Sequence, residues 1–196
     1  MIKYLNEHPD IKNLGILFDF YSGIRIGELS ALKRSDFKEI TLENGIVAHS
    51  VNIQRTEIKV RNNKDKWIYQ VQDYPKTEAG ERDVILTDKA WDIFKKVLSL
   101  NPKGEYLFME NDKRIRGNYF NRRLYRVCDW LSIPRRSIHK VRKTFGTLLL
   151  DSGVDKSIIT EQLGHTDIAT TLKYYYWDMN SMDEKVEQMN KALANF

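Results

Sequence analysis

The hydrophobic periodicity of this chain changes twice along its length, and that change limits the folds open to it. Near the start, Leu14, Ile16, Leu17, Phe18, Phe20 and Tyr21 make residues 11–22 dense enough in apolar side chains for a buried helix that ends near Gly23. Leu29 and Leu32 then share one face of a second helix over 27–34. Between about 46 and 74 the apolar residues become mostly β-branched and in places two apart: Val51, Ile53, Ile58, Val60, Ile68 and Val71. The polar cluster Asn62-Asn63-Lys64-Asp65 interrupts them, so the stretch reads as a β-hairpin with a basic tip. A short strand fits 82–86. Helical spacing then returns. Thr87 is an N-cap for 88–100, Phe120, Leu124, Val127 and Leu131 are spaced 4, 3 and 4 apart, and Val141, Phe145, Leu148 and Leu149 share a face over 139–151. Asp155 caps a short helix, another covers 167–175, and Ser181-Met182-Asp183-Glu184 opens a last one with Met182, Val186, Met189 and Leu193 on its apolar stripe. The pattern predicts a mostly α fold with a small antiparallel β-sheet inserted early (α+β), in one domain over residues 1–196.

At 196 residues the chain is long enough to bury roughly two-thirds of the surface its unfolded form exposes. No apolar run approaches the ~20 residues of a membrane span, and Met1–Glu7 meets charge too early for a signal peptide. A soluble, cytoplasmic protein of bacterial or phage origin is expected. Cys128, the single cysteine, rules out an internal disulfide and falls in an apolar stripe, where it serves as a small buried hydrophobe. The net charge of +5 favours a polyanionic partner without requiring one.

Three segments carry candidate chemistry. In Ser22-Gly23-Ile24-Arg25-Ile26-Gly27-Glu28-Leu29 an arginine leaves a helix-ending glycine, and Glu28 at the start of the next helix can hold its guanidinium. A planar fork of donors suits a phosphate, but a structural salt bridge accounts for the segment equally well. In His139-Lys140-Val141-Arg142 a spacing of three puts an imidazole and a second arginine on one helix face; alone, a surface pair is the simpler explanation. In Leu163-Gly164-His165 a turn leads toward Tyr174, Tyr175 and Tyr176, which by themselves suit an interface or core as well as a reaction.

Taken together and in order, these segments resemble the tyrosine recombinase family of phage and conjugative-transposon integrases. Its pattern is G-x-R-x-x-E-L, a hairpin lysine, H-x-x-R, L-G-H, and a tyrosine nine residues after that histidine. The lysine matches Lys76 in Tyr74-Pro75-Lys76-Thr77-Glu78-Ala79-Gly80-Glu81-Arg82. The resemblance spans roughly residues 10–177. Lys143 departs from it, since many members have histidine or arginine there, and the excursion Glu57–Lys66 has no counterpart in the pattern. The family's usual N-terminal helical domain has no room before Asp10, so the chain is expected to be the catalytic domain alone.

The resemblance implies transesterification on double-stranded DNA by a homo-oligomer, a tetramer in the synaptic complex, with no cofactor, metal or membrane. Tyr174 would attack a phosphorus, leaving a 3′-phosphotyrosine and a free 5′-hydroxyl. Arg25 and Arg142 would hold the nonbridging oxygens, Lys76 would protonate the leaving oxygen, and His139 and His165 would hydrogen-bond the phosphate. His139 is the better placed to assist Tyr174, and Glu28 would orient Arg25 without reacting. The alternatives are a non-catalytic helix-turn-helix DNA-binding protein, which would form no covalent adduct, and a type IB topoisomerase-like enzyme, which would relax DNA without strand exchange. The basic segments Lys113-Arg114-Ile115-Arg116, Arg122-Arg123 and Arg135-Arg136 are expected to meet DNA phosphates. The C-terminal stripe is expected to dock on a neighbouring protomer.

Overall fold

The computed structural model describes residues 1–73 and 81–165, and beyond these the positions 182, 183, 186, 189 and 190. A short helix, α1 (Ile2–Glu7), precedes the central helix α2 (Ile11–Ser22). Asp10 starts α2 by accepting hydrogen bonds from the backbone N–H groups of Lys12 and Asn13 at 2.9 and 2.8 Å. Gly23 ends it in the left-handed region, φ +62°, and its N–H closes on Asp19 O. Leu14, Ile16, Leu17 and Phe18 are all buried because other elements cover α2 from several sides. These are α4 (Asp88–Leu100), α5 (Gly117–Trp130) and α6 (Ile138–Asp151). The sequence places these helices well, and Thr87 Oγ1 does cap α4, accepting from Ala90 N at 3.3 Å.

The sheet differs from the expected hairpin. Strands β1 (Phe37–Thr41), β2 (Val47–Ile53) and β5 (Arg82–Leu86) form one antiparallel sheet in the order β1-β2-β5. Strands β3 (Arg55–Arg61) and β4 (Trp67–Asp73) pair only with each other. Val51 and Ile53 therefore belong to a different sheet from Ile58, Val60, Ile68 and Val71. Strand β1 gave no signal because four of its five residues are exposed, leaving no buried alternation to read. The second helix, α3 (Ile26–Ala31), stops three residues short of its expected end. Leu148 on α6 is 56% exposed rather than core. Helix α7 (Lys156–Leu163) is capped by Asp155 as expected, with Ile159 and Leu163 buried. It fastens to β5 through Gln162, whose side-chain amide accepts from Ile85 N at 3.1 Å and donates to Ile85 O at 2.7 Å. That side chain pairs with the strand edge as a neighbouring backbone would. The helix expected over 167–175 lies outside the described residues.

The excursion that has no counterpart in the family pattern is the β3–β4 hairpin, and Glu57 anchors its root. The carboxylate accepts from Arg114 at 2.6 Å and from Gly117 N, the first residue of α5, at 2.9 Å. Arg114 sits on β7 (Lys113–Arg114), which returns from β6 (Met109–Glu110) through a turn with Asn111 and Asp112 both at positive φ. Several basic residues expected at a phosphate surface also make ion pairs within the chain, one of them buried and the others at the surface. Arg114 binds Glu57, Arg123 binds Asp10, and Arg135 binds Asp129. Because the Glu57–Arg114 pair is almost entirely buried, losing one partner strands the other's charge. Glu57→Ala is expected to cost about 3 kcal/mol or more. In urea denaturation the Glu57→Ala/Arg114→Ala double variant should lose less than the sum of the single variants; simple additivity would contradict the pairing.

Candidate functional site

Glu28 enters α3 at its first turn with its side chain fully buried. It closes the helix start by accepting from Arg25 N at 2.8 Å, the acidic half of a capping box. Its two oxygens also receive two arginines. Arg25 donates to Oε1 at 2.7 Å, and Arg82 donates to both oxygens, at 3.1 and 2.9 Å. Burial alone would raise the Glu28 carboxyl, but the hydrogen bonds and charge of Arg82, with those of Arg25, outweigh it and hold the group below the usual carboxylate range. Glu28 is thus ionised at neutral pH and fixes both guanidiniums.

The turn after α7 completes the pocket. Gly164 lies at φ +61°, and a Cβ there would sit 2.7 Å from the Arg82 guanidinium carbon, so only glycine fits. Arg25 donates to Gly164 O at 2.5 Å. Arg142, on α6, donates to Gly23 O at 2.5 Å and also to Leu163 O. One of its terminal nitrogens lies 3.3 Å from His165 Nε2. Since guanidinium only donates, Nε2 faces it as an acceptor and the ring proton sits on Nδ1. Arg82 Nε reaches Gln162 O at 3.3 Å. The carbonyls of residues 162–164 therefore each receive a different arginine, and three guanidiniums gather around one turn.

The exposure of these groups divides their roles. The Arg25 side chain is 39% exposed, whereas those of Arg82 and Glu28 are 5% and 0%. Arg142 is buried, its head fixed between the end of α2 and the turn. Burial lowers the His165 imidazole to about 4, and the positive charges of Arg142, Arg25 and Arg82 push the same way. The ring is neutral at pH 7. His139 stands at the exposed start of α6. Burial lowers its pKa, as do the charges of Lys143, Arg142 and Lys140, so it too is neutral and able to accept a proton. Beneath the pocket, Asp19 is wholly buried, and neither of its carboxyl oxygens has a hydrogen-bond partner among the described residues. Burial raises it well above the usual range despite attraction from Arg142, and Glu28 adds to the rise.

Four residues selected from sequence, Arg25, Glu28, Arg142 and His165, thus come together, with His139 one helical turn before Arg142. Lys76 and Tyr174 lie outside the described residues. Sequence reading placed Arg82 at the end of the lysine run but gave it no role; its signal was a charged residue at an inward position of a strand. Asp19, a lone carboxylate within an apolar helix, offered a similar signal. Among the described residues no three His, Cys, Asp or Glu side chains cluster as metal ligands do.

The phage integrase family matches residues 2–181. An integrase of a Staphylococcus phage is 26% identical over 185 residues, covering 88% of this chain and 49% of that protein. The transposase of transposon Tn916 from Enterococcus faecalis is also 26% identical, over 193 residues, covering 90% of this chain and 45% of that protein. The chain thus spans about half the length of these curated relatives. Among solved structures, the integrase of transposon Tn1549 in complex with circular intermediate DNA superposes with a TM-score of 0.73 at 21% identity, over 97% of this chain and 63% of that one. At that identity the likeness establishes the fold, in agreement with the α+β class read from the sequence.

The charge state of His165 can be tested directly. Its ring resonances are expected to stay fixed as pH falls from about 8 to about 5 in an NMR titration, whereas an ordinary histidine titrates near 6.5. In Arg25→Gln one neighbouring positive charge is gone, imidazolium forms more easily, and the midpoint should rise. A wild-type midpoint near 6.5 would contradict the electrostatics of the pocket.

Proposed function

The chain belongs to the phage integrase family, and from that premise we propose that it is the catalytic domain of a tyrosine recombinase that cuts and rejoins double-stranded DNA in the cytoplasm. The observation that carries this reading is the convergence of Arg25, Arg142 and His165 on the turn at Gly164. A scissile phosphate at the exposed edge of Arg25 would meet its fork of donors, with Arg142 and His165 behind. Removing one such preorganised donor costs about 10²–10³ in rate.

Tyr174 would attack the phosphorus in line, forming a 3′-phosphotyrosine while the 5′-oxygen leaves with a proton from Lys76. Making phenolate at pH 7 from a group of pKa about 10 costs roughly 4 kcal/mol. The neutral imidazole of His139 can take that proton, and the arginines stabilise the negative charge on the nonbridging oxygens. His165, lowered to about 4 by burial and by the surrounding arginines, would gain basicity beside a phosphate's negative charge, which would strengthen its hydrogen bond. A 5′-hydroxyl from a partner strand reverses the step, so the bond energy is conserved in the protein–DNA link and no cofactor is needed. A helix-turn-helix protein without catalysis would leave the gathering of Arg25, Arg142 and His165 at one turn without a role.

Assembly is part of the proposal. Met182, Val186 and Met189, spaced 4 and 3 apart, are 74%, 50% and 64% exposed at helical positions. Such a stripe suits docking on a neighbouring protomer in a DNA-bound tetramer. No helix among the described residues is long and apolar enough to cross a membrane.

The chemistry is tested with a nicked substrate that traps the covalent intermediate. Tyr174→Phe removes one hydroxyl, so duplex binding should persist while the adduct disappears. Tyr175→Phe and Tyr176→Phe should each still form it. An adduct that survives in Tyr174→Phe, or that maps to a neighbouring tyrosine, would overturn the assignment.

A further inference from the structure

The β3–β4 hairpin carries a surface that the transesterification does not use. In its register Lys59 lies opposite Tyr69 and Arg61 opposite Trp67, so all four side chains share one face. The Trp67 residue is 54% exposed. Lys59 Nζ lies 4.5 Å from its ring centre and the Arg61 guanidinium 4.9 Å. The pattern continues onto α5. The Arg116 guanidinium lies 5.0 Å from the Tyr69 ring and 5.1 Å from the Tyr119 ring, and Arg122 lies 5.9 Å from the latter. Arg116 also donates to Tyr119 Oη at 2.9 Å. That hydrogen bond, then the charges of Arg116, Arg122 and Lys12, holds the Tyr119 phenol below its ordinary value, a sign of the local positive field.

Rings and cations therefore alternate across two elements, and the nearby carboxylates are engaged. Glu57 is buried against Arg114, and Asp65 pairs with Arg61 at 2.5 Å. Lys64 and Lys66 add charge at a tip built by Asn62, whose side-chain oxygen accepts from both of their N–H groups at 3.0 Å. The tip is thus a formed turn that can present its charges in a fixed direction. Flat rings interleaved with cations match a nucleic-acid strand, whose phosphates meet the cations and whose sugars and exposed bases pack on ring faces. The face also begins beside the phosphate pocket. Gly27, two residues after Arg25, packs against the hairpin root so closely that a Cβ would lie 2.5 Å from Thr56 Oγ1 and 2.8 Å from Glu57 O.

We propose that this face is a second DNA contact, gripping the duplex backbone away from the phosphate held at Arg25; it rests on the DNA-rejoining function argued above. Phosphates recur every ~3.4 Å along each strand of a duplex, so a DNA segment seated at Arg25 has several within reach of the hairpin. The cations meet phosphates and Trp67 packs on a sugar or an unstacked base.

The test is duplex binding by the chain, measured by fluorescence anisotropy across a salt series. Lys59→Gln/Arg61→Gln removes two counterion-releasing contacts, so the slope of log affinity against log salt should become shallower by about 1.8. Trp67→Ala should weaken binding about tenfold with the slope unchanged, as expected for loss of a ring contact to a nucleotide. Arg25→Gln, which disables the pocket, should keep the part of the slope that depends on the hairpin. If wild type binds duplex DNA and the hairpin variants bind with unchanged slope and affinity, this inference fails and the function stands. If those variants alter only self-association of the DNA-free protein in sedimentation, the face is a protein contact and the inference is again overturned. If wild type binds no duplex at all, the DNA function fails and this inference with it.

Discussion

Glu28 is fully buried and ionised, and it binds Arg25 from the start of its own helix and Arg82 from the first position of β5. A carboxylate in that position is tolerable only while both guanidiniums stay in place, because removing a partner from a buried pair costs several kcal/mol. The constraint also runs outward. Arg82 packs under Gly164, and that turn receives Arg25 and Arg142 on its carbonyls and bears His165 beside them. The β-sheet, the α2–α3 junction, α6 and α7 are thereby tied to one point. Arg25, Arg82 and Arg142 each reach the turn through a main-chain carbonyl, so the pocket is held by backbone positions as much as by side-chain identity.

The same interaction sets the electrostatics. Three arginines gather around one turn beside the ionised Glu28, and burial raises the Asp19 carboxyl well above the usual range. Burial, reinforced by the charges of Arg142, Arg25 and Arg82, lowers the His165 imidazole to about 4 and leaves the ring neutral at pH 7. On the proposed function, a phosphate bound at this turn would meet Arg25, Arg142 and His165 and would raise the basicity of the imidazole beside it. Binding and activation would then be coupled through the charges gathered at the turn.

Much of this was legible from residue order. The helices announced themselves by period and caps, and Gly23 and Gly164 marked the two turns that aim Arg25 and His165. What the sequence concealed is instructive. Arg82 looked like the end of a basic run, because nothing local shows that its partner lies 54 residues earlier. Arg114 looked like part of a phosphate surface, because an ion pair with a residue 57 positions earlier has no sequence signature. Strand β1 was invisible because an exposed edge strand buries no alternating face. The hairpin was read as one element with β2, since periodicity cannot say which strands pair.

On the proposed function the turn at Gly164 seats the anion, and its position can be seen directly. Crystals of the chain grown or soaked with orthovanadate, which mimics a phosphate under attack, would show where the anion binds. The expected result is density at the exposed edge of the Arg25 guanidinium, adjoining Arg142 and His165, and absent in Arg25→Gln crystals treated the same way. Density elsewhere on the surface with this pocket empty, or density at the pocket that persists without the Arg25 side chain, would contradict the assignment.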